Sequence, residues 1–236
     1  GGNSGVSIGG YDADRNPYIY VDFACGTWGG RPWADGLQGN SNMFANMASQ
    51  SVEVIEAEQP VEILAYELLP DRAGAGKFRG GAPYYREYRF TEREAVLQVR
   101  TDRSRFRPYG LYGGQPGQRS ANYLNPEGAN EKLASKPTIN ITNGDVFRHE
   151  LAGGGGWGDP LERDADLVCK DVRDELVSAG SARDNYGVVL TADGRAVDAN
   201  ATAARRDALR TERAWSGPPA VAWDNAGAAN ALDAAE

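Results

Sequence analysis

The chain has 236 residues, a net charge of −8 at neutral pH, 30 glycines, two cysteines and one histidine. Two cysteines are too few for a secreted disulfide framework, and one histidine cannot build a His-based zinc cluster. An acidic chain without a basic stretch is a poor match for nucleic acid or anionic lipid, and no run approaches the roughly 20 apolar residues that span a bilayer. Because the first residues also lack the pattern of a secretion signal, we expect a cytoplasmic protein without nucleic-acid or membrane partners.

The chain up to about residue 151 has the pattern of short strands. Apolar and β-branched residues recur in short runs between clusters of glycine, proline and asparagine. The runs are 18–23, 61–69, 84–90, 95–101, 137–142 and 145–151. This pattern predicts an α+β protein in which a β-rich domain of layered sheets covers residues 1–160.

The pattern becomes helical after Asp159 and Pro160. Four apolar residues share one face at helical spacing, which predicts a helix ending at Gly180; they are Leu167, Val168, Val172 and Leu176. Ser181 and Asp184 have the spacing of a capping box that opens a second short helix, and residues 200–213 predict a third. We therefore expect a helical segment over 161–214. The remainder, 215–236, is rich in alanine and glycine and predicts an extended tail that docks through Trp215 and Trp223.

Long glycine-rich connections interrupt the strands at 26–39, 71–81, 109–117 and 153–158. Such long connections are uncommon in a compact domain unless they bind something or pack against a partner. The second resembles a phosphate loop, but Phe78 stands where a magnesium-binding Ser or Thr belongs, so a glycine-rich turn is the preferred interpretation. The run 153–158 matches a dinucleotide fingerprint only because four consecutive glycines match almost anything. Close backbone packing or a ligand would explain why side chains are kept out of it.

Other candidate chemical groups each have a structural alternative. Cys25 is a candidate nucleophile or simply the end of a strand, and Cys169 is expected in the core. The arginine-rich stretch 100–107 could build an anion site or a solvated ion-pair network. Glu53 and Glu56 would share a helix face, where they could serve acid/base or metal chemistry or be solvated. The structural alternative is favoured in each case.

Several motifs, in a consistent order over about residues 5–205, resemble the hydantoinase B/oxoprolinase family. The most specific is GGGGWGDPLERD at 153–164. The others are GTWGGRP at 26–32 with DG at 35–36, SVEVIEAEQP at 51–60, YELLPD at 66–71, GAGKFRGG at 74–81, REY at 86–88, DVR at 171–173 and YGVV at 186–189. The match covers only the C-terminal part of a B-type subunit, which is more than twice as long.

The resemblance implies a role in ATP-dependent opening of a cyclic amide such as 5-oxoproline or a hydantoin. In this family an A-type subunit with an actin-like ATPase fold handles the nucleotide. We therefore expect no cofactor in this chain, and ATP and a divalent metal in partner chains: the A-type subunit and the N-terminal part of the B-type subunit. The candidate substrate-binding residues lie on two loops, Gly29, Gly30, Arg31 and Asp35 on one and Gly154, Gly155 and Asp159 on the other.

Their expected roles are backbone donation and charge complementarity toward a substrate carbonyl or a phosphorylated intermediate. Two alternatives to the hydrolase stay open. One is a subunit of an ATP-dependent carboxylase of the acetone or acetophenone type, which activates a ketone and bicarbonate. The other is a structural subunit that touches no substrate. Activity of the chain alone is not expected.

Overall fold

The computed structural model of the protein describes residues 2–41 and 45–213. Within these ranges nine strands form two antiparallel sheets, accompanied by four α-helices and a 3₁₀ turn at Pro160–Glu162. The strands are β1 (Asn3–Tyr11), β2 (Pro17–Cys25), β3 (Val61–Leu68), β4 (Tyr84–Phe90), β5 (Glu94–Arg100), β6 (Ala121–Leu124), β7 (Glu131–Lys132), β8 (Thr138–Thr142) and β9 (Val146–Glu150). The helices are α1 (Val52–Glu58), α2 (Ala165–Arg173), α3 (Ala179–Asn185) and α4 (Ala199–Glu212).

The two sheets pack face to face around a common core. The first has the strand order β2-β1-β5-β8 and the second β3-β4-β9-β6-β7. Alternate side chains of each strand point between the sheets, as the two-residue period of a strand requires. Val6, Ile8 and Leu97 of the first sheet meet Tyr88 and Phe147 of the second, all fully buried. The arrangement confirms the predicted layered α+β architecture.

All six predicted strand runs are strands in the structure, with ends that differ by a residue or two. The central strand of the first sheet, β1, is not predicted by the sequence pattern. It contains three glycines and two serines, residues with low strand propensity. It is nevertheless a strand because it pairs with β2 on one side and β5 on the other.

The predicted boundary between the first two helices is wrong. Helix α2 ends at Arg173, and Glu175 takes a left-handed conformation with φ of 58°, which stops the helix. Leu176 N then donates to Asp171 O at 2.9 Å, as in a Schellman-type cap. Helix α3 begins at Ala179 because Ser178 Oγ accepts from Ser181 N at 3.0 Å, so Ser178 and not Ser181 is the N-cap.

The third predicted helix is confirmed as α4, and Cys169 is buried as expected. The helical spacing places Leu167 on the buried face of the first helix, but the structure exposes it. The helices share a separate apolar cluster that includes Val168, Tyr186 and Val188 and extends to Ala75 in the second glycine-rich connection. The proposed division at residue 160 stays a prediction, and the tail with Trp215 and Trp223 lies outside the described residues.

Candidate functional site

The four glycine-rich connections meet at one end of the two sheets. The connections follow the ends of β2, β3, β5 and β9, and two of them lead into the starts of β4 and β6. These strand ends all lie at the same end of the sheets. We call the segments 26–37, 72–81, 108–118 and 153–158 the glycine core. The segment 153–158 runs through the middle and is hydrogen-bonded to each of the other three. The connections therefore pack against one another.

Backbone hydrogen bonds run from the central segment in several directions. Gly155 O accepts from Gly30 N at 2.8 Å, and Gly154 O accepts from Gly74 N at 2.7 Å. Gly156 O accepts from Leu111 N at 2.9 Å. A strand in a sheet has neighbours on two sides only, whereas this segment has three neighbours around it. The four glycines 153–156 of this segment form a buried stretch of backbone without side chains.

The glycines are required because the backbones approach too closely for a Cβ atom. A Cβ on Gly155 would lie 1.9 Å from Tyr109 O, and one on Gly153 would lie 1.9 Å from Arg72 O. A Cβ would come within 2.3 Å of a backbone atom at each of Gly30, Gly36, Gly74, Gly80, Gly81, Gly110, Gly114, Gly117 and Gly153, Gly154, Gly155 and Gly156. Close backbone packing, one of the two explanations offered for the glycine run, is thus present in the structure.

The two predicted substrate-binding loops lie side by side in this core. Gly30 on the first loop donates to Gly155 on the second, and a Cβ on Gly29 would be 3.3 Å from Gly155 O. Gly154 N donates to Gly81 O at 3.1 Å. The N–H groups of Gly30 and Gly154 therefore have partners within the chain. A substrate-binding role of these glycines stays a prediction.

The charged members of the predicted set also have partners within the chain. Arg31 Nη2 donates to Asp35 O at 2.8 Å and closes the first loop on itself. The Asp159 carboxylate accepts from Leu161 N at 2.8 Å and caps the 3₁₀ turn that follows the glycine run. Both side chains fix the shape of their loops. Their role toward a substrate stays a prediction.

A buried ion-pair network lies beneath these loops and is not evident in the sequence. Arg163 binds both carboxylate oxygens of Asp35, at 2.7 and 2.8 Å, and also Asp171 at 2.8 Å. Arg79 completes the network with two bonds to Asp171 at 3.2 and 3.3 Å, while its backbone N donates to Asp35 at 2.7 Å. The network joins the first loop, the second connection and helix α2.

The electrostatics of this network follow from burial and pairing. Burial raises the pKa of Asp35, but hydrogen bonds and charge from Arg163 and Arg79 lower it more, so its pKa lies below the usual value. The two arginines and two carboxylates balance in formal charge. All four residues belong to motifs that carry the family resemblance, but the sequence does not show that these four motifs meet in space.

Aromatic side chains cover one end of the glycine core. The Trp157 ring contacts Phe78 and Tyr112, with ring centroids 5.9 and 5.4 Å apart. Tyr112 is largely exposed and has a left-handed backbone with φ of 51°, an unfavourable conformation for a bulky residue. Trp33, on the first predicted loop, is largely exposed as well. The loops thus present aromatic surface to whatever lies outside them.

A second buried polar cluster lies between the sheets. Asp22 accepts from Arg86 Nη1 and Tyr88 Oη, each at 2.5 Å. The single histidine, His149, is fully buried and hydrogen-bonded through Nδ1 to Asn122 Oδ1 at 2.8 Å. Burial lowers the pKa of His149 to about 4, so the ring is neutral at pH 7 and Nδ1 carries the donated proton. Cys25 contacts Phe23 O rather than His149, and the two do not form a thiol–imidazole pair.

The described part of the chain does not supply a metal site. No group of three or more His, Cys, Asp or Glu side chains within residues 2–41 and 45–213 is arranged to hold an ion. None of the helices in the same ranges is long and apolar enough to cross a membrane.

Comparison with known proteins decides the family. The family model described as hydantoinase B/oxoprolinase matches residues 1–160, which include the whole glycine core. The chain belongs to the hydantoinase B/oxoprolinase family. It is 31% identical, over 79% of its length, to the B-type subunit of a putative D-/L-hydantoinase from Pseudomonas sp. (strain NS671). It is also 31% identical, over 87% of its length, to the beta chain of the caprolactamase from Pseudomonas jessenii.

Two solved structures share the fold. The ATP-dependent caprolactamase of Pseudomonas jessenii matches 86% of this chain with a TM-score of 0.74 and 28% identity, and this chain covers 37% of that one. An acetone carboxylase structure matches 99% of this chain, also with a TM-score of 0.74, at 20% identity. The chain spans only 32% of the hydantoinase relative and 37% of the caprolactamase relative. The shared fold is therefore a portion of larger proteins.

Proposed function

We propose that this chain is part of the B-type subunit of an ATP-dependent cyclic-amide hydrolase of the hydantoinase/5-oxoprolinase type, and that it helps to shape the ring-opening site. The observation that carries the proposal is the likeness to caprolactamase. The caprolactamase beta chain is 31% identical over 217 residues, and the solved caprolactamase has the same fold with a TM-score of 0.74. Caprolactamase is named for a cyclic amide and is described as ATP-dependent.

The chemistry explains why such an enzyme needs ATP. An amide carbonyl is a poor electrophile because the nitrogen donates electron density to it. ATP phosphorylates the amide oxygen and releases ADP, which makes the carbon electrophilic enough for water to add. The protonated ring nitrogen then leaves as an amine as the C–N bond breaks, and a second water hydrolyses the resulting acyl phosphate to a carboxylate and phosphate. We propose that the nucleotide and a divalent metal are handled by partner chains, namely an A-type ATPase subunit and the rest of the B-type subunit. The site of action would be the cytoplasm.

The contribution proposed for this chain is a rigid wall of the active site. The glycine core and the Asp35–Arg163–Asp171 network hold both predicted loops in fixed positions. Preorganised groups stabilise developing charge at less reorganisation cost than flexible ones. Trp33 and Tyr112 are largely exposed, and Arg31, which is partly buried and bonds to Asp35 O, lies on the same loop as Trp33. We expect them to contact a cyclic substrate or the adjacent polypeptide.

A second candidate function is a subunit of an ATP-dependent ketone carboxylase. The observation in its favour is the match of the acetone carboxylase fold to 99% of this chain. At 20% identity this likeness supports the fold alone. We therefore rank the hydrolase first.

The decisive experiment uses the intact complex purified with its native partner chains. Hydantoin, 5-oxoproline and caprolactam are each incubated with ATP, and the ring-opened product and ADP are quantified. A parallel reaction contains acetone and labelled bicarbonate. Amide-dependent ADP release with ring opening supports the proposal, and label incorporation without ring opening refutes it in favour of the carboxylase.

A variant pair tests whether this chain contributes to the site. Arg31→Ala removes a side chain from the first predicted loop, and the control Arg93→Ala removes an exposed arginine from the β4–β5 turn at the opposite end of the sheets. We expect kcat/KM to fall about tenfold or more for Arg31→Ala and less than about twofold for the control. Equal turnover of both variants in an intact complex would favour the purely structural subunit.

A further inference from the structure

The β2 edge of the first sheet carries apolar side chains on its outer face, where a solvated face would carry polar ones. Ile19, Phe23 and Val21 alternate along β2 and are 70%, 55% and 45% exposed. Opposite them on β1 stand Gly9, Gly5 and Ser7, in register with Ile19, Phe23 and Val21 respectively. A ridge of large apolar residues thus borders a floor of very small ones. We call this surface the β1 trough.

The trough continues toward β5 and widens at one end. Val96 of β5 pairs with Gly9 and is also exposed, so apolar groups flank the floor on both sides at this end, whereas the β5 residues that pair with Ser7 and Gly5 are the polar Gln98 and Arg100. A groove of about 510 Å³ opens over Gly9, Gly10 and Val96 at this end. Within residues 2–41 and 45–213, β2 is one of the two edge strands of its sheet. An exposed apolar strand at a sheet edge is a typical site for association with another polypeptide.

The outer face of the second sheet shows what a solvated face looks like in the same molecule. Arg89 pairs with Glu62 at 2.9 Å across neighbouring strands, and both side chains are nearly half exposed. Such cross-strand ion pairs are typical of a sheet surface in contact with water. The exposed apolar residues of β2, in contrast to this ion pair, indicate that the β2 edge of the first sheet is covered in the functional protein.

The length of the relatives identifies what covers it. This chain corresponds to 37% of the solved caprolactamase chain and to 36% of the acetone carboxylase chain. In both proteins most of the polypeptide therefore lies outside the portion matched here. That remaining polypeptide must bury apolar surface against the shared fold to form one protein, and the apolar ridge of β2 beside the small residues of β1 provides such a surface.

We propose that the β1 trough is the surface on which the remaining portion of the B-type subunit packs, with apolar side chains of that portion seated over Gly5, Ser7 and Gly9. This inference rests on the proposed function only because the proposed function says which polypeptide the partner is. It assigns the trough to subunit assembly and not to substrate. The glycine core, at the ends of the strands, is left free for the chemistry.

The test measures capture of the companion polypeptide. The probe is the remaining B-type portion from the same organism, produced as a separate polypeptide, co-expressed with this chain and free of ATP and substrate. Val21→Lys places a charge on the ridge, and Gly5→Trp fills the floor, where an added Cβ meets nothing within 4 Å. The control is Leu167→Lys on α2, whose 44% exposure matches the 45% of Val21.

We expect the dissociation constant to rise about tenfold or more for both trough variants and less than about twofold for the control, because a charge or a blocked pocket at an apolar interface centre is costly. Circular dichroism and thermal melting of the isolated chains establish that all three variants fold. Equal capture of trough and control variants would overturn the proposal, as would failure of the unmodified chain to bind the companion.

Two further outcomes are distinguishable. If light scattering shows a dimer of this chain alone that Val21→Lys converts to a monomer, the occupant is a second copy and the proposal is wrong. Because capture is measured without substrate, normal capture combined with no amide hydrolysis would refute the proposed function and leave the trough assignment intact.

Discussion

Removal of the Asp171 carboxylate should destabilise the protein strongly. Asp171 is buried and accepts three hydrogen bonds, one from Arg163 and two from Arg79. In Asp171→Ala both guanidiniums stay buried, the Arg79 side chain keeps only its bond to Gly80 O, and the network has one carboxylate for two cations. Breaking a buried pair in this way costs about 3–5 kcal/mol, a large part of the roughly 5–15 kcal/mol that stabilises a typical domain.

Urea unfolding followed by circular dichroism measures this loss. The control is Asp174→Ala, which removes a carboxylate about one turn further along the chain. The ion pair between this carboxylate and Lys170 is exposed to solvent. Exposed pairs contribute about 0–1 kcal/mol, so the control should unfold close to the unmodified protein. The dependence on urea concentration should be equal in all three proteins. A loss below about 1 kcal/mol for Asp171→Ala would refute the structural role assigned to the network.

Three further predictions concern the core and pH dependence. Gly155→Ala should lower the free energy of unfolding by more than about 4 kcal/mol, because its Cβ would collide with Tyr109 O. The control Gly128→Ala, whose Cβ would lie 3.8 Å from the nearest atom, should change this free energy by less than about 1 kcal/mol. Equal effects of the two variants would contradict the close packing. Because burial lowers the pKa of His149 from 6.5 to about 4, the unfolded chain binds more protons between these values, and the unmodified protein should be about 2 kcal/mol less stable at pH 5 than at pH 7. The single histidine makes its NMR titration unambiguous, and a titration near pH 6.5 would contradict burial. Since the pKa of Asp35 is depressed in the folded state, this carboxylate stabilises the protein above about pH 4, and the stabilisation is lost as the pH falls further. Asp35→Asn should therefore be less stable than the unmodified protein at neutral pH. Its free energy of unfolding, measured with urea, should also fall less steeply as the pH is lowered.

The strands could be predicted where the sequence itself favours them. Runs such as Tyr84–Phe90 combine aromatic residues with alternating burial, and local pattern and tertiary structure agree there. Strand β1 fails this test because its glycines and serines carry no strand signal and only its neighbours make it a strand. The end of α2 escapes prediction for a similar reason. The apolar spacing continues through Leu176, but the left-handed Glu175 breaks the helix before it.

The glycine-rich loops could be located in the sequence, but their packing could not. A run of glycines indicates that there is no room for side chains, but it does not indicate which neighbouring atoms fill the space. The answer lies 40 to 130 residues away along the chain, as in the contact between Gly155 and Gly30. The ion-pair network has the same character. Asp35 and Arg163 are 128 residues apart, and no local pattern joins them.

The same long-range contacts constrain how a B-type subunit can be assembled. All four segments of the glycine core lie within this chain, and the central segment 153–158 has its hydrogen-bond partners in the other three. The core can therefore form without a companion polypeptide. The metal and nucleotide chemistry, in contrast, is proposed to belong to partner chains. The reactive groups and the rigid scaffold would then reside on different polypeptide portions. The surface that joins these two portions would have to contain neither the reactive groups nor the loops of the scaffold. The β1 trough lies along the strands and not at the end of the sheets where the glycine core lies. A partner bound in the trough would therefore leave the predicted loops open to substrate.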